Sequence, residues 1–90
     1  MTSGADVYRT QAWRSIRLRV LQRDDFVCQI GLPGCTRRAT AADHIVELFE
    51  GGAPFDMANL QAACRSCNSA KHMRRLSEAA RRASTPLRRW

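Results

Sequence analysis

The stretch that decides the fold opens with Asp43-His44-Ile45 and closes with Cys64-Arg65-Ser66-Cys67-Asn68-Ser69-Ala70-Lys71. Its opening pair sets a carboxylate beside an imidazole. Its closing run sets two thiols three residues apart, with an amide directly after the second. Between them lie Gly51-Gly52 and Asn59-Leu60-Gln61. Carboxylate and amide oxygens suit a hard cation such as Mg²⁺, an imidazole accepts a proton from water, and thiolates suit zinc. One short segment therefore carries parts for two different metal sites.

Working outward, residues 40–48 are expected as a strand, with the β-formers Ile45 and Val46 after Asp43-His44. Residues 50–54 form a loop, and Asp56 caps a helical turn through Met57-Ala58-Asn59. Leu60-Gln61-Ala62-Ala63 is a second short strand that leads to Cys64. A last helix is expected from about residue 66 to 83, with Met73, Leu76, Ala80 and Ala83 on one face and Arg74, Arg75, Arg81 and Arg82 off it.

Upstream, residues 26–30 read as extended and residues 31–34, with Pro33, as a turn that leads to Cys35. Cys28-x6-Cys35 alone is a weak metal signal. Joined to Cys64-x2-Cys67 it completes a four-cysteine tetrahedral set, a strong one. Thr10 caps a helix over residues 11–24, whose apolar stripe is Trp13, Ile16 and Val20 with Leu21 beside it. Arg14, Arg19 and Arg23 fall off that stripe and offer cations to solvent or phosphate. Residues 1–8 are expected as a loose arm, 9–83 as one domain and 84–90 as a basic, aromatic tail. No internal repeat is visible.

Ninety residues make a small domain that buries little of its surface and needs a staple. The opening residues have no apolar core of the signal-peptide kind, and no apolar run approaches membrane-spanning length. The chain is therefore expected to act in the cytoplasm, away from membranes, where four cysteines are better explained by zinc than by disulfides. The formal net charge is +7, and all the basic side chains except Lys71 are arginine. Arginine matches phosphate in a bidentate fork, so nucleic acid is the expected partner. A basic surface kept only for solubility is the bland alternative.

Taken together, Asp43-His44-Ile45, Gly51-Gly52, Asn59-Leu60-Gln61, Cys64-x2-Cys67-Asn68 and Lys71 resemble the HNH endonuclease family, which has the ββα-metal fold. Trp13-Arg14, Arg23-Asp24 and Cys28 resemble the lead-in helix and first knuckle of its zinc-containing members. The resemblance implies a small α+β, zinc-stapled domain with an N-terminal and a C-terminal helix, hydrolysing DNA to 5′-phosphate and 3′-hydroxyl ends. It assigns His44 as general base, with Asp43 and Asn68 as ligands of a catalytic divalent ion, Mg²⁺ or Mn²⁺, with Ni²⁺ or Zn²⁺ as softer options. The family's final histidine is Asn68 here, as in an HNN variant. Asn59 is implied to hold the loop that orients the base.

Several assignments keep a plainer alternative. His44 is otherwise a hydrogen-bonded structural histidine, and Asn68 a helix-start cap. Adjacent strand residues point to opposite faces, so Asp43 and His44 divide their labour. His72, four residues after Asn68 on the same helical face, either adds a third ligand or lines the phosphate path. Lys71, Arg74, Arg75 and Arg14 are expected to contact the DNA backbone. Small proteins of this type resemble phage packaging or restriction nucleases. The rival functions are a non-catalytic zinc module that binds nucleic acid, and an accessory subunit of a larger nuclease or terminase.

Overall fold

A computed structural model describes residues 7–84. Thr10 starts the first helix, α1 (Gln11–Arg23), by accepting the Trp13 N–H on its hydroxyl at 3.0 Å. The expected stripe is the buried one: Trp13, Val20 and Leu21 face inward, with Ile16 packed beside them. Val7 and Tyr8 depart from the expected loose arm. Val7 is buried in the core, and the Tyr8 ring meets Trp13 edge-on at 5.1 Å. Residues 1–6 and the tail from 85 onward lie outside the described residues.

The sheet has two antiparallel strands, β1 (Ala41–His44) and β2 (Leu60–Ala63), in a register that sets Asp43 opposite Gln61 and His44 opposite Leu60. It is followed directly by α2 (Arg65–Ser84), which makes the order β1–β2–α2. Leu60, Val20 and Ala62 are almost wholly buried and seal the sheet against α1. Each buried Leu or Val side chain contributes about 1.5–3 kcal/mol.

β1 is shorter than the 40–48 expected. Its partner ends at Leu60, so past His44 only the Ile45 N–H continues the ladder, to Asn59 O at 2.8 Å. Ile45 and Val46 are then exposed, and the chain turns through a 3₁₀ helix (Leu48–Glu50) into Gly51 with φ +88°. The turn Met57–Asn59 is capped by Asp56 as expected, its carboxylate accepting the Ala58 N–H.

Residues 26–30 do not form a strand. Asp25 and Phe26 take positive φ, and the stretch keeps one isolated bridge, Val27 to Arg38. The stripe Met73, Leu76, Ala80 and Ala83 is also not a core face: Met73 is 60% exposed and Leu76 39%. A 20-residue helix spans about 30 Å and a four-residue strand about 13 Å, so the second half of α2 overhangs the sheet.

Candidate functional site

Cys28 and Cys35 come from the loop between α1 and β1, and Cys64 and Cys67 from the junction of β2 with α2. The four sulfurs all lie within 4.8 Å of one another, with Cys35 and Cys64 Sγ at 3.9 Å. Zinc–sulfur bonds of about 2.3 Å place tetrahedral sulfurs about 3.8 Å apart, so the set fits that ion. Backbone N–H groups of Leu32, Arg37 and Cys67 point at Cys67, Cys35 and Cys64 Sγ at 3.3–3.4 Å. The N–H groups of Cys67 and Thr36 hold the Cys64 thiol down to about 5, while burial pushes the Cys67 thiol up to about 12. A bound cation would favour the thiolate forms of this set. Among the described residues, no other group of three or more Cys, His, Asp or Glu ligands converges this closely.

A second site is a cleft of about 870 Å³ between the start of α1, the end of β1 and the first turns of α2. Trp13, Asp43, His44, Glu47, Asn68 and His72 line it. The His44 ring stacks on Trp13 at 5.1 Å with 23° between planes, and its Nε2 lies 3.0 Å from Pro54 O. A carbonyl oxygen only accepts, so Nε2 carries the hydrogen and Nδ1 is left as the acceptor. The imidazole is held flat on one side and tethered on the other.

Asp43 faces α2, whereas His44 faces α1, as strand alternation requires. The Asp43 carboxylate accepts the Gln61 amide at 2.9 Å and is 3.3–3.4 Å from Lys71 Nζ. Burial lifts the Asp43 carboxyl above its ordinary range, with Gln61 and Lys71 pulling against that rise. The same ammonium reaches His44 O at 2.9 Å and Glu47 Oε2 at 3.2 Å. Glu47 is itself buried, and its Oε1 lies 3.2 Å from His72 Nδ1. The two carboxylates and the Asn68 amide are hard donors that suit Mg²⁺ or Mn²⁺, His72 adds an imidazole that softer ions favour, and the ammonium between the two acids shows that they accept positive charge. Asn68 sits inside α2, three residues past its first, and so is not its N-cap.

The loop that carries Pro54 is fixed by Asn59. Its Oδ1 accepts the Val46 N–H at 2.8 Å, and its Nδ2 donates to Val46 O and Ala53 O, both at 3.1 Å. Gly52 lies against the same backbone, where a Cβ would come 1.9 Å from Val46 O.

The expected DNA-contacting cations divide. Arg74 is exposed on α2, and Arg14 bonds Gln11 and Arg9 O at the surface. Lys71 is turned inward, and Arg75 is paired with Glu50 at 2.6 Å and with Glu78. Arg23 stays exposed on α1 but is engaged there: it bonds Asp24 and the carbonyls of Met57 and Leu60, which ties α1 to the sheet. Glu47, Gln61 and Tyr8 belong to the site but went unread in the sequence. Period-two spacing from Asp43 would have put Glu47 on the same face, and the strand register would have put Gln61 opposite Asp43.

Comparison with known proteins points the same way. The model of the family HNH endonuclease matches residues 28–74, just over half of the chain. The Gene 4 proteins of Mycobacterium phages L5 and D29 are 46% and 40% identical over 55 residues, 61% of this chain and 52% of each relative. The chain thus spans about half the length of these curated relatives. Among solved structures it is similar to the HNH endonuclease of the deep-sea thermophilic bacteriophage GVE2, determined with a manganese ion. That likeness has a TM-score of 0.54 and 33% identity, over 83% of this chain and 79% of the other. With its β1–β2–α2 order, its four-cysteine cluster and a matched model across the cleft residues, this chain belongs to the HNH endonuclease family.

Proposed function

We propose that this chain is a metal-dependent DNA endonuclease that hydrolyses phosphodiester bonds in the cleft between β1 and α2. One observation carries the proposal. His44 has its donor nitrogen fixed to Pro54 O and its ring fixed on Trp13, in the same cleft that Asp43 and Asn68 line. That arrangement leaves Nδ1 as the acceptor nitrogen of a fixed imidazole, the form a general base needs.

In this reading His44 Nδ1 takes a proton from a water molecule, whose oxygen attacks phosphorus as the bond to the leaving 3′-oxygen breaks. Asp43 and Asn68 hold a divalent ion, Mg²⁺ or Mn²⁺, and His72 is a candidate third ligand. When bound, that ion supplies positive charge for the phosphate and the leaving oxygen. The manganese in the GVE2 nuclease supports this choice. Asn59 keeps the Pro54 loop, and with it the base, in place. Arg14 and Arg74 grip DNA phosphates, joined by Lys71 and Arg75 when these exchange their own acids for the backbone. Cys28, Cys35, Cys64 and Cys67 bind a structural zinc that pins the first loop to the sheet.

Likeness to two mycobacteriophage proteins supports a phage setting, with DNA in the host cytoplasm as substrate and genome packaging beside a terminase, or restriction, as the occasion. The test is relaxation of supercoiled plasmid with Mg²⁺, Mn²⁺ or Ni²⁺, run beside His44→Ala and a chelator control. Nicked circles are expected from the native chain alone, in a metal-dependent manner. Cleavage by none of the three ions, or undiminished cleavage by His44→Ala, leaves the accessory-subunit role instead.

A further inference from the structure

Lys71 is the only lysine in the chain, and its side chain is 17% exposed. Its ammonium lies 3.3 Å from Asp43 Oδ2, 3.2 Å from Glu47 Oε2 and 2.9 Å from His44 O. The two carboxylates are 3% and 9% exposed, so each is buried with this one cation as its shared partner. Buried carboxylates left without a counter-charge are costly, and close together they also repel. Glu47 is held through its other oxygen by His72, and Gln61 donates to Asp43 Oδ2, the oxygen that Lys71 also approaches. Both acids therefore have a second anchor that does not depend on Lys71.

The proposed function gives the Asp43 oxygens to a divalent ion, and this inference rests on that reading. A divalent ion brought to the same carboxylates repels the ammonium and competes with it for their charge. We infer that Lys71 is the resident counter-ion of the catalytic-metal site: it neutralises Asp43 and Glu47 in the metal-free protein and leaves the recess when a divalent ion takes its place. Glu47 then faces the ion as a second acid beside Asp43, still fixed by His72. Lys71 lies about one turn along α2 from Asn68, which lines the cleft, and its four-carbon stem lets Nζ swing out while α2 stays unchanged. The released ammonium is then available to a DNA phosphate at the mouth of the cleft. Loading the metal thereby arms a DNA contact.

A single lysine makes the exchange directly readable. The zinc-loaded full chain is acetylated with an N-hydroxysuccinimide ester over a titration of Mn²⁺ or Mg²⁺. Labelling at Lys71 is followed by peptide mass spectrometry, with the N-terminal amine as reference, and occupancy by calorimetry in the same buffer. Lys71 should be protected without the divalent ion and label severalfold faster as occupancy rises, with no change in NaCl of equal ionic strength. Saturated binding with an unchanged Lys71 rate, or an equal rise in NaCl, overturns the inference and leaves the metal site standing. No divalent binding at all removes both. Lys71→Met should bind Mn²⁺ severalfold more tightly, since its acids lack a competitor, and should gain more in Tm from Mn²⁺ than the native chain does. Equal or weaker affinity in that variant also counts against the exchange.

Discussion

The side-chain amide of Asn59 closes on the backbone of Val46 from both sides, accepting its N–H at 2.8 Å and donating to its carbonyl at 3.1 Å. It acts as one more rung of the ladder where β2 has run out, and its third bond, to Ala53 O, pulls the returning loop onto the same point. Pro54, the tether of His44, follows directly. Asn59→Ala removes all three bonds and is expected to cost about 1–3 kcal/mol. Asn59→Asp should cost at least as much, because a carboxylate would face two carbonyl oxygens. Thermal unfolding gives the cost, and nicking rates should fall in both variants while bound zinc is retained. An Asn59→Asp protein of native Tm and native rate would show that the clamp is dispensable.

Gly51 and Gly52 are neighbours with different reasons to be glycine. Gly51 takes φ +88° in open space, so Gly51→Ala meets only backbone strain, about 1–2 kcal/mol. At Gly52 a Cβ would stand 1.9 Å from Val46 O and 3.0 Å from Asn59 Nδ2, so the loop itself has to move. Gly52→Ala is expected to be the more destabilising of the two in urea unfolding, and it should also lower turnover by disturbing the Asn59 clamp. The reverse order would mean that the loop yields easily.

The ββα core was legible because its signals are local. A capping Thr10, a stripe at 13, 16 and 20, an Asp56 cap and the Cys64-x2-Cys67 knuckle each specify a short piece of chain, and each piece forms where expected. What escaped is set by long-range partners. The length of β1 is decided by where β2 ends, and the exposure of Met73 by how far α2 outruns a four-residue strand. The acceptors that engage the cations are long-range as well. Arg23, Lys71 and Arg75 look alike as surface charges in sequence, yet their partners Leu60, Glu47 and Glu50 stand 24 to 37 positions away.

Zinc removal tests the staple. Cys64 and Cys67 lie where β2 meets α2, and Cys28 and Cys35 in the loop before β1, so one zinc would tie that loop to both elements. Elemental analysis should find about one zinc per chain, and a strong chelator should unfold the protein cooperatively, because metal binding here is folding free energy. Cys64→Ser should behave as the chelated protein does. Four thiols that titrate at once in a folded, metal-free sample would exclude the staple.

Asp24 links α1 to β2 by accepting the Ala62 N–H at 2.9 Å while its carboxylate is forked by Arg23. The Arg23 hydrogen bond, opposed by burial and helped by the Ala62 N–H, holds the Asp24 carboxyl below its usual range. The folded protein therefore binds this proton less readily than the unfolded chain. Its contribution is present above the unfolded value, about 4, and is lost as pH falls through the folded one. Asp24→Asn keeps an acceptor for Ala62 and removes the charge. It should be less stable than the native chain near neutrality, and the difference should shrink below about pH 4. Urea midpoints for both proteins across this range decide it, since their zinc sites are alike and cancel in the comparison. A constant difference down to low pH would mean that the pair contributes packing and not charge.

The sharpest separation is between base and ligand. His44 lines the cleft with Nε2 committed to Pro54, which leaves Nδ1 as its acceptor, so its proposed work is to take a proton. His44→Ala should then leave DNA and Mn²⁺ affinities nearly native while turnover falls on the order of 10²–10⁴-fold, the usual effect of losing a general base. Asp43→Ala and Asn68→Ala remove oxygens from a site with few protein donors and should instead weaken Mn²⁺ binding. Asn68→His should remain active and move its preference toward Ni²⁺ or Zn²⁺, which favour imidazole. None of the four changes removes a thiol or the Asn68 N–H bond to Cys64 O, so the four-cysteine site should keep its zinc in all of them. Calorimetric titrations paired with plasmid-nicking rates distinguish the cases. An equal loss of metal affinity in the His44 and Asp43 variants would place both side chains on the ion, and a different group would then have to carry the proton.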